Sequence, residues 1–407
     1  MNSEVDGAGP GSGVYKAGPG SDSGDTGSGS GDTGSDTGDP GPHGVNLPAL
    51  RGHNTALVLD LLRRSGAVGI SRLELAARTG LTPQAVSKIT ARLRGEGLVA
   101  DAGRRASTGG KPSTLLRLVP EAGHAIGVHL DRDEITAVLV DLRGTVVAER
   151  RAPLDLGAGA EPVLGAVAGA VAEVLPNGTG AAPLGVGVAL PGPLDHRRGV
   201  LGRVTGFPEW EGFALRDVLE RRLGLPVTVD KDTNAAALGL ALGLGGAVVP
   251  AYGSFAYLHL GTGLGAGLVL GGALYRGART GAGEFGHQVI DLDGTPCGCG
   301  RRGCVEALCL AAVGRGAPEE AARVLGTAAA NLVGLLDIDL VLLGGRTVTA
   351  YEEIFVQGVA SVMGAPGIPV TLAPGGPRAT AEGAAQLVLA PVFGRESAER
   401  AGPARVR

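Results

Sequence analysis

The chain has 407 residues, a net charge of −4, 44% apolar residues and 3% aromatic residues. That length allows two or three domains. The balanced charge gives the molecule as a whole no nucleic-acid signature, and no run of about 18 apolar residues marks a membrane span. The charge is unevenly spread, however. Residues 1–44 carry seven acidic groups and one lysine, whereas residues 45–120 carry twelve Lys/Arg and four Asp/Glu. A basic block inside an acidic chain points to a local polyanion-binding module.

Residues 1–44 repeat Gly, Ser, Asp and Thr, too little apolar surface to offset the entropy of ordering. They read as a disordered tail. They also lack the apolar stretch of a secretory signal, so a cytoplasmic chain is expected.

The basic block, 45–120, reads as mostly helical. A helix is predicted from an Asn54 cap to Arg64, with Ala56, Leu57, Leu59, Leu61 and Leu62 among its apolar positions. Ser71 with Glu74 forms a capping box for a second helix ending at Gly80. Thr82 caps a third, with Pro83 in its first turn. Val86, Ile89 and Leu93 make one apolar stripe, and Gly95 and Gly97 stop the helix. Leu98–Ala100 and 114–119 then read as the strands of a β-hairpin.

Two short helices joined by a tight turn and followed by a hairpin have the spacing of a winged helix-turn-helix. Opposite the apolar stripe lie Gln84, Ser87, Lys88 and Arg92, with Thr82 at the helix start. Gln suits adenine, and Lys or Arg suits guanine. Arg104, Arg105 and Lys111 at the hairpin tip suit phosphate or a minor groove. The expected partner is double-stranded DNA, read by a homo-oligomer on a palindromic operator.

After about residue 121 the pattern becomes α/β. Strands are expected at 125–130, 135–142, 184–190, 226–229, 254–260, 264–270 and 340–343, with helices at 235–244 and 321–336. Within this region His287, Cys297, Cys299 and Cys304 form an H-x9-C-x-C-x4-C set holding three of the chain's four cysteines. Four N/S ligands make a closed, tetrahedral, structural zinc site with no place for a reacting water. Gly298, Gly300 and Gly303 allow the turns such a knuckle needs. Cys309, in an apolar run, is expected simply to be buried.

Four segments carry a family resemblance: GVALPGPLD at 187–195, DKDTNAAALG at 230–239, GTGLGAGLVLGGALYRGARTGAGEFGH at 261–287 and CGCGRRGCVE at 297–306. Over roughly residues 50–395 the chain resembles the ROK family (repressors, open reading frames, sugar kinases). The resemblance implies a ribonuclease-H-like, actin-type pair of α/β lobes at 121–400, around a sugar cleft. It implies that Asp232 matches the kinases' general base, that Glu284 and Glu306 contact sugar hydroxyls, and that His287 both ligates zinc and faces the sugar.

The sequence also departs from that pattern. The kinases' D-x-G-G-T phosphate segment is replaced by GVHLDRDEI, with His129 for the Asp and Asp131, Arg132 and Asp133 for Gly-Gly-Thr. Two carboxylates there should repel a triphosphate, and the side chains should block backbone approach. Gly206 stands where the family often has a sugar-binding Asn, and Lys231 replaces the Asn beside Asp232. The short stretch between Glu306 and Ala321 implies a reduced helical insertion. Together these imply a transcriptional regulator, a repressor, that senses a sugar or sugar derivative as effector without phosphorylating it. The alternatives are an active sugar kinase with an appended DNA-binding domain, and a regulator that has lost sugar binding.

Overall fold

The structure, a computed structural model, describes residues 47–105, 113–175, 182–243, 252–364 and 367–395. The expected tail at 1–44 and Lys111 lie outside the described residues, as do the side chains of residues 47–51 and Arg105.

The chain opens with α1 (Leu47–Arg64), β1 (Ile70–Ser71), α2 (Arg72–Thr79), α3 (Pro83–Gly95), β2 (Val99–Arg105) and β3 (Ser113–Leu118). α1 begins seven residues before Asn54, so the expected cap is instead a residue inside the helix. The other caps are as expected. Ser71 Oγ accepts the Glu74 N–H while Glu74 accepts the Ser71 N–H, and Gly80 ends α2 with a left-handed φ of 69°. Thr82 accepts the Ala85 N–H. The short β1 was not foreseen. It pairs with β3, giving a small sheet of order β1-β3-β2.

Two larger sheets follow. The first uses β4 (His124–Leu130), β5 (Glu134–Asp141), β6 (Val146–Pro153), β7 (Val186–Leu190) and β10 (Val227–Lys231), in the order β10-β7-β4-β5-β6. Between its strands lie α4 (Ala160–Val174), the small β8 (Leu194–Asp195) and β9 (Val200–Leu201) ribbon, and α5 (Leu215–Leu223). Helix α6 (Asp232–Ala241) leads to the second sheet, built from β11 (Phe255–Leu260), β12 (Leu264–Leu270), β13 (Ala273–Tyr275), β14 (Leu340–Gly344) and β15 (Val370–Leu372). Its order is β13-β12-β11-β14-β15. Helices α7 (Val305–Gly314), α8 (Pro318–Leu336), α9 (Arg346–Ala350) and α10 (Glu352–Met363) belong to this half, and α11 (Ala379–Val392) closes the described chain.

The two sheets share one topology. In each, a three-stranded antiparallel meander is extended by two parallel strands from its first member. This is the expected actin-type duplication. It makes the β4–β5 turn (131–133) and the β11–β12 turn (261–263) equivalent elements of the two lobes.

Alternation along the strands sets the layers. Ile126, Val128 and Leu130 of β4 join Ile135, Ala137 and Leu139 of β5 in a core shared with α4 and α5. The opposite face of that sheet is covered by α11, while α7, α8 and α10 cover one face of the second sheet and α6 the other. The inner helices therefore cross over: α6 leaves the first sheet to pack on the second, and α11 returns from the second to pack on the first. Glycines permit the approach. A Cβ on Gly127 or Gly187 would lie 1.9 or 1.8 Å from α11 carbonyl oxygens, and one on Gly383 would lie 2.0 Å from Ala235 O of α6.

The N-terminal helices do not stand apart from this body. Val58, Leu59, Leu62, Leu75 and Val86 share one buried cluster with Val138 and Val140 of β5, with Ala385 and Leu389 of α11 and with Phe393 just after it. The cluster crosses the boundary expected near residue 120. Asp60 of α1 accepts two hydrogen bonds from Arg395, at 2.9 and 3.2 Å.

Candidate functional site

Each sugar-site residue expected from the resemblance lines one cleft between the lobes. Asp232, Glu284, His287 and Glu306 share it with Asp131, Arg132, Lys231, His259 and the 262–265 turn. Asp232 opens α6, its Oδ1 accepting the next N–H at 2.6 Å. Glu306 lies in the first turn of α7, and its Oε2 accepts the Leu264 N–H at 2.8 Å. That contact fixes the carboxylate against the β11–β12 turn and leaves Oε1 for a ligand.

Lys231, the replacement beside Asp232, is buried (3% exposed), and its Nζ donates to Glu284 Oε1 at 3.0 Å and Ala282 O at 2.5 Å. A buried ammonium without such partners would be strongly disfavoured. Glu284 is therefore partly committed to a neighbour, which the sequence did not reveal. A second buried tie lies behind it: Asp230 Oδ2 accepts from Arg276 Nε at 2.6 Å, and Asp230 Oδ1 from Asn234 at 2.8 Å.

On the other side of the cleft, the 131–133 turn does not present free carboxylates. Arg346, directly after the Gly344-Gly345 pair, donates to Asp131 Oδ2 at 2.6 Å and to both oxygens of Asp133 at 2.8 and 2.5 Å. The expectation of bare like charges is corrected here: the acids are neutralised from the opposite lobe. The Arg346 guanidinium, with Asp131 and Asp133, lines the neighbouring cavity together with His129, Tyr257 and His259. Hydrogen bonds from Arg346 hold the Asp133 carboxyl below its usual pKa; at Asp131 burial pulls upward, and the Arg346 hydrogen bond, the Arg132 N–H and the nearby His129 and Arg346 charges together bring it below the usual value. Burial holds the His129 imidazole below its usual value, against the pull of Asp232 and Asp131. Arg346 was missed because its partners lie more than two hundred positions away. The only signal was a guanidinium next to a glycine pair at a strand end.

The four knuckle residues also converge. Their ligand atoms all lie within 4.8 Å of one another. Cys299 Sγ is 3.6 Å from Cys304 Sγ, and Cys297 Sγ is 3.6 Å from His287 Nδ1. Zinc with ordinary bond lengths would set such separations at about 3.5–3.8 Å, so the donor set fits the ion. Gly300 and Gly303 do adopt left-handed φ, 90° and 62°, whereas Gly298 does not. Cys304 immediately precedes α7, so the knuckle also sets where Glu306 starts. Cys309 is buried, as expected.

In the N-terminal module, Val86 and Leu93 are buried and Ile89 partly so, while Thr82, Gln84, Ser87, Lys88 and Arg92 are all exposed on α3. Arg104 is exposed on β2. Arg92 is not wholly free: it donates to Thr55 at 2.7 Å. No helix among the described residues is long and apolar enough to cross a membrane.

Known proteins resemble this arrangement. A family-wide sequence model described as ROK family matches residues 125–315. A putative xylose repressor from Caldicellulosiruptor sp. (strain Rt8B.4) is 34% identical over 243 residues, 58% of this chain. The matched region spans only 59% of that relative's length. A structure described as a ROK family transcriptional regulator, homolog of E. coli MLC protein, superposes with a TM-score of 0.70 over 85% of this chain and 98% of its own; at 22% identity it speaks to fold alone. A ROK hexokinase from Thermus thermophilus is 31% identical, covering 64% of this chain and 96% of its own, with a TM-score of 0.53. With that identity over nearly the whole of a solved relative, and the family's motifs gathered in one cleft, the chain belongs to the ROK family.

Proposed function

We propose that this chain is a cytoplasmic, DNA-binding transcriptional regulator, a repressor, whose cleft senses a sugar or sugar derivative without phosphorylating it. The carrying observation is a pair of features in one molecule. An exposed polar face on α3 suits a major groove, while the carboxylates that the resemblance assigns to sugar converge in a cleft beside a cavity lined by the Arg346 ion pairs. The relative named a putative xylose repressor supports the same reading. In this reading 45–120 binds operator DNA, with Thr82, Gln84, Ser87, Lys88 and Arg92 at bases and Arg104, Arg105 and Lys111 at phosphates. A homo-oligomer meets a palindromic site.

Zinc is the metal that fits His287, Cys297, Cys299 and Cys304, and its role is structural. When bound it supplies a fixed cross-link that anchors His287 and the start of α7. Three thiols this close cannot all ionise without a cation between them, so metal and fold stabilise each other.

Effector control follows from the lobes. A ligand that binds one lobe arrangement better shifts the population toward it. α11 packs on the first sheet, on α6 and, through the shared cluster, on α1, so lobe rearrangement reaches the DNA-binding helices. Phosphoryl transfer depends on a positioned and charge-stabilised phosphate. An arginine bridged to two acids where the kinases keep a glycine cradle removes that position.

The test is operator selection followed by an effector screen on the same complex. A sugar should lower DNA affinity, and Asp232→Asn should remove that response while leaving DNA binding intact. Two observations favour other readings. Asp232 and the 261–263 turn keep kinase-like places, so ATP-dependent sugar phosphorylation lost in Asp232→Asn would promote the kinase. Lys231 commits Glu284, so failure of every sugar would promote a regulator that has lost its effector.

A further inference from the structure

Arg132 differs from every other cation of the cleft. Lys231 is satisfied by Ala282 O and Glu284, and Arg346 by Asp131 and Asp133. The Arg132 guanidinium makes no hydrogen bond or ion pair with any described residue, although it lines the same cleft as Asp232, Glu284 and Glu306. Its neighbours Asp131 and Asp133 turn toward Arg346, while Arg132 turns toward the sugar side.

The guanidinium is nonetheless held in place. Its Cζ lies 5.3 Å from the centroid of the Phe207 ring. A guanidinium resting over an aromatic face is steadied there without spending its N–H groups. Gly206 gives it room: a Cβ there would lie 3.3 Å from Nη1, closer than an ordinary contact, while a Cβ at Gly263 would rest in ordinary contact with Nη2 at 3.5 Å. Gly206 stands where the resemblance leads one to expect an asparagine for a neutral sugar. Where the resemblance implies a neutral hydrogen-bonding side chain on one turn, this chain has a glycine and a cation reaching in from another turn.

We propose that the effector of this cleft carries an anionic group, a carboxylate or a phosphate, on a polyhydroxyl body, and that Arg132 binds that group. The proposal rests on the reading of the cleft as an effector site and adds the effector's charge class. Asp232 and the free oxygen of Glu306 accept from hydroxyls, while the Arg132 fork meets two oxygens of the anion. A neutral sugar that closed the lobes would bury Arg132 without a partner, and an unpaired buried charge opposes closure. An anion removes that penalty and so couples binding to closure.

The experiment uses the full-length, zinc-loaded protein and matched ligands: glucose, gluconate, glucuronate and glucose 6-phosphate, with the corresponding pentose series. Binding is read by calorimetry and by release of operator DNA. At least one anionic sugar should bind about tenfold or more tightly than its neutral parent, the advantage expected of a charge-assisted hydrogen bond. Arg132→Gln should erase that advantage, weakening the anionic sugar and if anything tightening its neutral parent, while operator DNA affinity without ligand stays unchanged, and Arg132→Lys should restore part of it. A response confined to the acids or to the phosphates identifies which anion is used. If neutral sugars bind as well as anionic ones, or the preference survives Arg132→Gln, the inference fails while the sugar-sensing reading stands. If no sugar of either charge binds, both fail.

Discussion

Arg346 and Asp131 meet across the cleft at 2.6 Å, although 215 positions separate them in the chain. With Asp133 they tie the β4–β5 turn of one lobe to the start of α9 in the other. The pair is half-exposed, so its net worth is modest, about 1 kcal/mol or less. Arg346→Ala should lower thermal stability only slightly. It should change how readily the lobes separate much more, read as altered hydrogen exchange in the 128–136 and 258–266 strands. An unchanged exchange pattern would show that the contact does not hold the lobes.

The same contact has a pH signature. Asp131 and Asp133 have folded-state pKa values below their unfolded values, so their contribution is fully present above about pH 4 and is lost as pH falls further. His129 is also depressed. Its neutral form favours the fold, so stability is full above about pH 6.5 and declines as the pH drops below that. The melting temperature should therefore fall in two steps on acidification. Arg346→Ala should blunt the lower step, and His129→Gln the upper one.

Metal content should be one zinc per chain, with Cys299→Ser losing the ion and stability together. Gly303→Ala offers a sharper test because it leaves every ligand in place. A Cβ there would lie 1.5 Å from Asp291 O, at a left-handed φ of 62°. That variant should lose zinc and lower the melting temperature, measured by metal analysis and calorimetry. Full zinc retention would show that the knuckle tolerates rearrangement.

For DNA, Gln84→Ala or Lys88→Ala should weaken specific more than non-specific binding, typically by about 1–3 kcal/mol for a base contact. Arg104→Ala should mainly flatten the salt dependence, by about one unit of slope. Removing residues 1–120 would be a poor test, because it strips the cover from Val138, Val140, Leu389 and Phe393. Point variants on the exposed face of α3 avoid that damage.

No ATP-dependent turnover is expected with hexoses, amino sugars or pentoses, and no saturable ATP binding. Asp232→Asn is the cleanest site variant for the sugar side. Glu284→Ala would strip Lys231 Nζ of its carboxylate partner and confuse binding with folding.

Local chemistry was readable from the chain. Ser71 with Glu74, Thr82 with Pro83 and the knuckle spacing each announce themselves within a few residues, and the structure forms each as read. Strand β6 was not readable, because it runs along the sheet edge with Glu149, Arg150 and Arg151 outward and little apolar alternation. α4 and α11 were hidden by Ala and Gly, which carry weak periodicity; in α11 the small residues serve close packing on β4, β7 and α6. The Lys231–Glu284 and Arg346–Asp131 pairs depend on the lobes coming together, and no spacing rule reports that.

The crossing of α6 and α11 also bears on how this molecule is made. The first sheet and the N-terminal helices reach the end of the ribosome tunnel long before α11 does, yet α11 supplies one wall of the core they share. Until residues near 392 emerge, Gly127 and Gly187 face no helix and the cluster around Leu59 and Val138 stays open. A prematurely terminated chain would therefore carry the N-terminal helices on an unfinished support. The last described helix thus completes a core that the first described helices open.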